Sequence, residues 1–324
     1  MAKILTSNDV DLALAAGTLK AGGLVAIPTE TVYGLAANAF CENAVKQIFA
    51  VKARPFIDPL IVHVHSLEQV GTLANIEHPF VKKLADAFWP GPLTLVLPKK
   101  NCVPDIVTAG EKTVAIRMPV HPVARKILQL ADLPLAAPSA NQFGYVSPTC
   151  AQHVQDSLGE RLQYIVDGGN CDCGVESTII LVSDEPKLLR LGVITREQIE
   201  RALGVPVAVG KGLMEAADEK GLLAPGMLKK HYSPKTRVVL FENAPAGTLE
   251  NCAIVWQKRP KNTARGNDFW LSENGDQAEV ARKIFSLLRR LDAMCFEQIF
   301  IERSPNVGIG AAVNDRLSRA AAKL

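Results

Sequence analysis

The 324-residue sequence contains no apolar run near the roughly 18 residues that a membrane-spanning helix requires. Asp9 and Asp11 interrupt its start, so no signal-peptide core is present. Seven cysteines without framework spacing do not predict a disulfide scaffold. Charge is nearly balanced, with 36 Lys and Arg against 33 Asp and Glu, and 48% of residues are hydrophobic, which excludes a fully disordered chain. The composition predicts a globular, cytoplasmic protein that does not enter a membrane.

Several motifs of nucleotide and hydrolase chemistry are also missing. No GxxxxGK[ST] loop is present, no GxGxxG follows a predicted strand, and no GxSxG elbow occurs. Cys171 and Cys173 lack a second pair at zinc-ligand spacing, and His63 and His65 alternate across a strand. The sequence therefore predicts no protein-held metal, and any use of ATP must follow another route than a P-loop.

Strand-like runs separated by helical patterns fill residues 1–204, which is typical of an α/β sheet with helix-covered faces. Ser7 is expected to cap a helix that ends near Lys20. Capping-box spacing predicts further helix starts at Ser66 with Gln69, at Thr149 with Gln152 and at Thr195 with Gln198. We predict strands over 24–28, 60–64, 94–98, 113–119, 177–182 and 187–192, and helices over 42–52 and 121–132.

A second βα pattern follows a stretch of different character. Residues 205–236 hold four glycines and three prolines without a long periodic segment, so they form either a linker or a functional loop. Beyond them, strands are predicted over 237–241, 253–256 and 299–302, with helices over 276–294 and from 308 onward. The chain is thus expected to have a domain over 1–204, a connecting segment over 205–236 and a small α/β domain over 237–324.

Five polar segments lie at strand ends or in loops of the first domain. They are PTETVYGLA (28–36), KARPFIDPLIVH (52–63), RMPVH (117–121), PSANQFGYVSPT (138–149) and GGNCDCGVESTI (168–179). In open α/β sheets, ligands bind where loops leave the carboxyl ends of strands. These loops are rich in Ser, Thr, Asn and Gly and carry lysine and arginine, a set that suits a polyanion such as a nucleoside triphosphate.

Each polar segment taken alone has a structural explanation as well. Thr29 and Thr31 are ordinary turn residues, and Ser139 follows a proline where turn chemistry suffices. Lys52 at the end of a helix offsets the helix dipole. Arg117 is different, because a charged residue on a hydrophobic strand needs a partner or a ligand.

Taken together, the segments resemble the YrdC-like family in its long two-domain form. PTETVYGL, KxRP…PLIVH, WPGPLT (89–94), RxPxH, PSAN…G…SPT and GVEST stand in the family's order. LLAPGMLKKHYSP (222–234) resembles the family's interdomain segment, and GIGAAVNDRLSRAA (308–321) the end of its second domain. The resemblance implies an α/β fold with an N-terminal twisted open mixed sheet with helices, a linker and a small C-terminal Rossmann-like domain.

The resemblance also implies a nucleotidyltransferase, L-threonylcarbamoyladenylate synthase. Such an enzyme converts L-threonine, bicarbonate and ATP into threonylcarbamoyl-adenylate and pyrophosphate. The adenylate then supplies the threonylcarbamoyl group for a tRNA adenosine beside the anticodon, through downstream transfer proteins. Mg²⁺ accompanies the ATP and is held mainly by phosphate oxygens and water. A weak affinity for RNA or tRNA is expected as well.

The residue roles follow from the family's motif positions. The catalytic polar cluster around phosphates and carbamate is implied to be Lys52, Arg54, Ser139 and Asn141. The implied L-threonine contacts are Thr31, His63, Arg117, Ala137 and Ser177. The implied ATP contacts are Arg54, Asp58, Thr113, Ser139, Ser147, Arg190 and Tyr232.

Two other functions and one conformational hypothesis remain open at this point. An RNA-binding module of the same fold would need no catalysis, but it would be expected to interleave basic residues with aromatics. A carbamoyl-transfer enzyme would carry additional zinc-finger-like and acylphosphatase segments. The apolar residues Leu222, Leu223, Met227 and Tyr232 in the connecting segment indicate a lid over the catalytic mouth, the alternative being a strap between domains.

Overall fold

The structure is a computed structural model that describes residues 1–210, 225, 231–243, 245, 250–261 and 266–322. Helices and strands alternate along most of the chain. In the first part lie β1 (Lys3–Leu5), α1 (Asp9–Lys20), β2 (Val25–Ile27), β3 (Gly34–Asn38), α2 (Glu42–Lys52), β4 (Ile61–His63), α3 (Leu67–Leu73), α4 (Pro79–Phe88), β5 (Leu93–Pro98), α5 (Asp105–Thr108), β6 (Thr113–Arg117), α6 (Pro122–Ala131), β7 (Leu135–Ala136), α7 (Ala151–Leu158), β8 (Tyr164–Val166), β9 (Thr178–Leu181), β10 (Lys187–Arg190), α8 (Arg196–Leu203) and β11 (Ala208–Val209). In the second part lie β12 (Arg237–Phe241), β13 (Cys252–Lys258), β14 (Asp268–Ser272), α9 (Gln277–Ala293), β15 (Gln298–Glu302) and α10 (Ile309–Ala321).

Two sheets organise these elements. Among the described residues, eleven strands form a mixed sheet in the order β1-β8-β2-β3-β7-β4-β6-β5-β9-β10-β11. A separate sheet has the order β12-β15-β13-β14, and all of its pairs are parallel. The expected α/β class, with a large mixed sheet followed by a small Rossmann-like unit, is confirmed. No helix of the described part of the chain has the length and apolar character needed to cross a bilayer.

Helix α2 illustrates how sequence pattern becomes packing. Ala44, Val45, Ile48 and Phe49 form its apolar stripe and are all buried in the core of the large sheet. The helix ends because Ala53 adopts a left-handed conformation, with φ of 52°. Its predicted bounds, 42–52, coincide with those of the structure.

Two of the expected helix caps are wrong. Asn8 rather than Ser7 caps α1, because its side chain lies next to the first turn and accepts a hydrogen bond from the Asp11 amide at 2.9 Å. Cys150 stands at the N-cap of α7 without a side-chain bond, so Thr149 does not form the expected capping box. The box at Thr195 is formed in both directions. The Ser66 box is half formed: Ser66 accepts from the Gln69 amide, but the Gln69 side chain accepts from the His65 amide instead.

A shared apolar cluster joins the two sheets. It contains Val32, Val146 and Val175 from the first part of the chain together with Phe285 of α9 and Tyr232 of the connecting segment. Because all five side chains are buried, the small sheet and its helices pack directly against the loops of the large sheet. This contact places the second unit beside the polar loops.

Candidate active site

The candidate site lies over one face of the central strands of the large sheet. The strands β4 and β6 are parallel, whereas β7 is antiparallel to β4 and β2 runs in the direction of β7. The carboxyl ends of β4 and β6 therefore point one way along the sheet, and those of β2 and β7 point the opposite way. Residues from loops at both ends of these strands line the pocket.

The loop between β2 and β3 forms one wall of the pocket. The Thr29 hydroxyl donates to the Val32 carbonyl at 2.6 Å, accepts from the Thr31 amide at 3.2 Å and lies 2.9 Å from the Thr31 hydroxyl. Thr29 is thus the turn residue that its sequence context suggested, yet it also lines the pocket. The loop exits through Gly34, where a side chain would come within 3.3 Å of the Ala137 Cβ atom. A larger residue at this position would therefore displace Ala137 by a few tenths of an ångström.

Arg117 and His63 stand side by side on the sheet face. They are paired across β4 and β6 in the parallel register, so both side chains point into the pocket. The Arg117 guanidinium donates to the Thr31 hydroxyl at 2.8 Å and forms an ion pair with Glu30 at 2.6 Å. Burial, with the nearby Arg117 charge, lowers the pKa of His63 to about 3. His63 is therefore a neutral imidazole, and among the described residues its Nδ1 atom has no hydrogen-bond partner.

Arg54 and Lys52 enter from the end of α2. Arg54 forms a buried ion pair with Asp58 at 2.9 Å and donates to the Pro59 carbonyl at 2.8 Å. Lys52 is fully buried, and its ammonium donates to the backbone carbonyls of Ser139 at 2.5 Å and Asn141 at 2.7 Å. Burial lowers the pKa of Lys52 well below its usual value. Arg54 lines the pocket, whereas Lys52 anchors the loop behind it.

The loop after β7 supplies the opposite wall. Ala137 donates its amide to the Ile61 carbonyl at 3.0 Å, and Ser139 is bridged to Gly34. Asn141 points away from the pocket: its side-chain amide donates to the carbonyls of Gln142 at 2.8 Å and Tyr145 at 2.9 Å. Together with Lys52, these bonds fix the loop so that Ala137 and Ser139 face the pocket.

Arg190, at the end of β10, is a buried cation on the far side of the pocket. It donates to the Ser177 carbonyl at 3.0 Å, to the Ser177 hydroxyl at 2.9 Å and to the Pro225 carbonyl at 3.2 Å. The Ser177 hydroxyl in turn lies 2.7 Å from that of Thr94. Burial lowers the pKa of Arg190 to about 10, so the group stays charged at neutral pH. Among the described residues, no carboxylate forms an ion pair with Arg190.

The described part of the connecting segment closes the pocket. Pro225, His231 and Tyr232 line it, and Tyr232 is fully buried with its ring stacked on Phe285, centroids 5.5 Å apart. Tyr232 has φ of 62°, a left-handed conformation that is costly for a non-glycine residue. The three other residues of the lid hypothesis, Leu222, Leu223 and Met227, lie outside the described residues. The cavity encloses only about 50 Å³, whereas sites for small molecules commonly measure about 300–1,000 Å³.

The structure brings together eight of the residues that the sequence indicated. These pocket-lining residues are Thr31, Arg54, His63, Arg117, Ala137, Ser139, Arg190 and Tyr232. Lys52, Asp58, Asn141, Ser147 and Ser177 stand behind the wall and bond to residues that form it or shape its loops. Thr113 is apart from both groups, because it begins β6 while Arg117 ends that strand, about 13 Å away at 3.3 Å per residue.

Sequence reasoning missed two carboxylates at the site, one that lines the pocket and one that pairs with the pocket residue Arg117. Glu176 lines the pocket and accepts a hydrogen bond from the Ser147 hydroxyl at 2.6 Å. Glu30 is buried and pairs with Arg117. Glu30 lies in the motif PTETVYGLA and Glu176 in GVEST. The motifs were recognised, but their Thr and Ser residues rather than their glutamates were assigned to the site. His231 was missed as well, although it precedes Tyr232 in the same segment. No cluster of three or more metal-ligating side chains occurs among the described residues.

Comparisons with known proteins agree with one another. The family model described as telomere recombination, covering Sua5, YciO and YrdC, matches residues 17–192, and the one described as threonylcarbamoyl-AMP synthase, C-terminal domain, matches 194–322. A threonylcarbamoyl-AMP synthase of Pyrococcus abyssi is 41% identical over 95% of this chain and 93% of its own. One of Bacillus subtilis is 40% identical over 98% and 94%. The crystal structure of Pyrococcus abyssi Sua5 complexed with L-threonine superposes with a TM-score of 0.90 and 38% identity, covering 98% of this chain and 97% of that one.

Proposed function

The chain belongs to the two-domain threonylcarbamoyl-AMP synthase family, and from that membership we propose that its pocket joins L-threonine, bicarbonate and ATP. The observation that carries the proposal is the convergence of three arginines, Arg54, Arg117 and Arg190, on one pocket. All three substrates bear negative charge in the reacting state, so their approach requires fixed cations. The products are threonylcarbamoyl-adenylate and pyrophosphate.

L-Threonine is assigned to the wall that contains Thr31, His63 and Arg117, with Ala137 completing the contacts and Ser177 supporting the wall from behind. Arg117 is suited to hold the carboxylate, since its described contacts use one donor each on Nε, Nη1 and Nη2. A guanidinium has five N–H donors, so two remain for a bidentate carboxylate. The Nδ1 of neutral His63, without a partner among the described residues, is available for a hydrogen bond with the hydroxyl or amine of threonine.

ATP is assigned to the side formed by Arg54, Ser139, Arg190 and Tyr232. Asp58 and Ser147 support this side from behind through Arg54 and Glu176, whereas Thr113 lies apart from it. Arg190 supports this placement, because it is a buried cation whose described partners are neutral oxygens. A phosphate oxygen would supply the missing counter-charge. Lys52 and Asn141 hold the loop of Ser139 in place and complete the catalytic cluster.

The chemistry proceeds in two stages. The threonine amine first forms a carbamate, either by adding to carbon dioxide with loss of a proton or by reacting with bicarbonate with loss of water. A carbamate oxygen then attacks the α-phosphorus, forming a new P–O bond while the bond to the β-phosphate breaks and pyrophosphate leaves. The side chains position the reactants and stabilise developing charge, since the carbamate is already an anionic nucleophile. Mg²⁺ enters as part of the MgATP substrate, held by phosphate oxygens and water.

The pocket must widen before these substrates enter, because its volume of about 50 Å³ is well below the range of about 300–1,000 Å³ for small-molecule sites. The connecting segment is the wall proposed to move. Pro225 is tied to Arg190 by one hydrogen bond at 3.2 Å, which ligand phosphates could replace. Closure behind bound ATP would exclude water from a hydrolysable adenylate.

An RNA-binding role without catalysis is not favoured. Such a module has no need of a buried histidine and three arginines converging on one closed pocket, whereas a synthase does. The downstream acceptor is a tRNA adenosine, reached through transfer proteins to which the adenylate passes. All seven cysteines are free thiols, which supports a reducing compartment such as the cytoplasm.

The test is pyrophosphate release by the full chain, combined with mass spectrometry for the adenylate. Pyrophosphate should form from ATP only when threonine and bicarbonate are both present, and a product with the mass of threonylcarbamoyl-adenylate should accompany it. Serine in place of threonine serves as the matched substrate control. Equal pyrophosphate release without any amino acid would mean that the protein merely hydrolyses ATP to AMP and pyrophosphate, and would refute the proposal.

A further inference from the structure

One arginine of the second unit reaches the wall of the pocket. Arg316 lies on α10, and its side chain is fully buried. Its Nε atom donates to Glu176 at 2.8 Å, and Glu176 lines the pocket. A terminal nitrogen donates to the Leu191 carbonyl at 2.7 Å, one residue beyond Arg190. The guanidinium also lies over the Tyr232 ring, 5.4 Å from its centroid.

These contacts connect Arg316 with the residues assigned to ATP. The second oxygen of Glu176 accepts from the Ser147 hydroxyl at 2.6 Å, so Glu176 bridges Arg316 and Ser147. On its other side, Arg316 pairs with Asp315 at 2.6 Å, and Asp315 also pairs with Arg319 at 3.0 Å. Burial opposes the charge on Arg316, but Tyr232, Glu176 and Asp315 outweigh it, and the pKa of the guanidinium is raised.

We propose that Arg316 is a positioning residue of the ATP site, supplied by the second unit. It acts through Glu176 and Tyr232, fixing the carboxylate that holds Ser147 and the ring that closes the pocket. The inference rests on the proposed synthase function and deepens it, because it gives the second unit a defined part in nucleotide binding. Arg316 does not line the pocket itself and touches no substrate.

A purely mechanical connection between the units would not require this arrangement. A buried ion pair loses much of its Coulombic gain to desolvation, and apolar residues of similar size often anchor an interface as well. What an apolar residue cannot do is donate at once to the Glu176 carboxylate, to Asp315 and to the Leu191 carbonyl, as the planar guanidinium of Arg316 does. The units already share a mechanical connection elsewhere, where the Tyr145 hydroxyl donates to Asp292 at 2.8 Å.

The experiment compares Arg316→Met and Arg316→Lys with Glu176→Gln in the full chain. Pyrophosphate release should show an ATP KM raised at least about tenfold in Arg316→Met, the equivalent of one lost charge-assisted hydrogen bond. The KM for threonine should stay within about twofold, since Arg117 and His63 are untouched. Arg316→Lys keeps the charge but loses the fork, so it should recover only part of the ATP affinity.

Two further measurements separate positioning from mere interface stability. Ser157→Ala is the matched control, because it removes the hydrogen bonds that Arg289 of the second unit donates to α7, outside the pocket, and should leave the ATP KM unchanged. The double variant of Arg316→Met with Glu176→Gln should be no worse than Arg316→Met alone, since both act through one contact. If Arg316→Met unfolds, Glu176→Gln carries the same expectation for ATP.

The outcomes distinguish this inference from the proposed function. An unchanged ATP KM in both Arg316→Met and Glu176→Gln would overturn the positioning role, even with a lowered melting temperature. The stabilisation of each variant by a non-hydrolysable ATP analogue, read by thermal unfolding, reports nucleotide binding without turnover. A wild-type chain that binds the analogue but releases no threonine-dependent pyrophosphate would refute the synthase assignment instead.

Discussion

Replacement of Arg117 by lysine tests the proposed threonine site most directly. Arg117 bonds to Thr31 at 2.8 Å, to Glu30 at 2.6 Å and to the Gly91 carbonyl at 3.4 Å. Arg117→Lys keeps a positive charge opposite Glu30, so no buried carboxylate is left alone. What it removes is the pair of donors available to the substrate carboxylate. An ammonium on a flexible stem cannot reproduce that fork.

The expected magnitude follows from one charge-assisted hydrogen bond, worth about 1.5–3 kcal/mol. At 1.4 kcal/mol per factor of ten, the KM for threonine should rise by roughly 10- to 150-fold. The KM for ATP should change by less than about twofold, because the nucleotide is assigned to Arg54, Arg190 and Tyr232. The assay is initial-rate pyrophosphate release with threonine varied at saturating ATP, then with ATP varied at saturating threonine.

The control is Arg201→Lys, at an exposed position near the end of α8. It makes the same chemical change away from the pocket and should leave both constants unaltered. Thermal unfolding of Arg117→Lys establishes that the fold is retained. The reasoning is refuted if threonine binds the Arg117→Lys variant normally, or if the KM for ATP rises as much as that for threonine.

Three further changes probe other parts of the site. Lys52→Met removes two hydrogen bonds to loop carbonyls, so the free energy of unfolding measured in urea should fall by on the order of 2 kcal/mol. Lost activity at unchanged stability would instead indicate that the Lys52 ammonium binds a phosphate of ATP. Tyr232→Ala should raise the KM for ATP at least about tenfold and leave the KM for threonine unchanged. An unaltered KM for ATP would show that the connecting segment only joins the two domains. His63 has its pKa lowered to about 3 in the folded state, so the unfolded state binds a proton first as pH falls below 6.5 and stability is lost on acidification. His63→Asn should therefore lose about 2 kcal/mol less stability than the wild type between pH 6.5 and pH 4.5. Equal losses in urea titrations would contradict the neutral, buried imidazole.

Local sequence patterns predicted those elements whose signal lies within the element itself. The helix over 42–52 and the strand over 237–241 have the bounds that the structure gives, and the helix expected over 276–294 spans 277–293. Each carries its own apolar stripe or run of β-branched residues. The strand over 34–38 was missed because GLAAN has small residues without alternation, and it becomes a strand only through pairing with β2 and β7.

The site was predictable as a set of motifs but not as a geometry. Arg54, Arg117 and Arg190 stood out because their positions match a family pattern. Their arrangement over a sheet face depended on strand directions that no local pattern specifies. Arg316 was missed because its partner Glu176 lies 140 residues earlier in the chain. A signal existed, since Val313, Arg316, Leu317 and Ala320 share one buried helical face, and an arginine there requires a partner.

The position of Arg316 near the chain end has a consequence for biosynthesis. The strands of the large sheet are all present once residue 209 has emerged from the ribosome. At about 5–20 residues per second, translation of the next hundred or so residues takes roughly 5–20 s. During that interval Val32, Val146 and Val175 lack the apolar surface that covers them in the finished molecule. A nascent chain stalled before α10 would thus expose apolar surface and carry an incomplete nucleotide site, and such exposed surface favours aggregation.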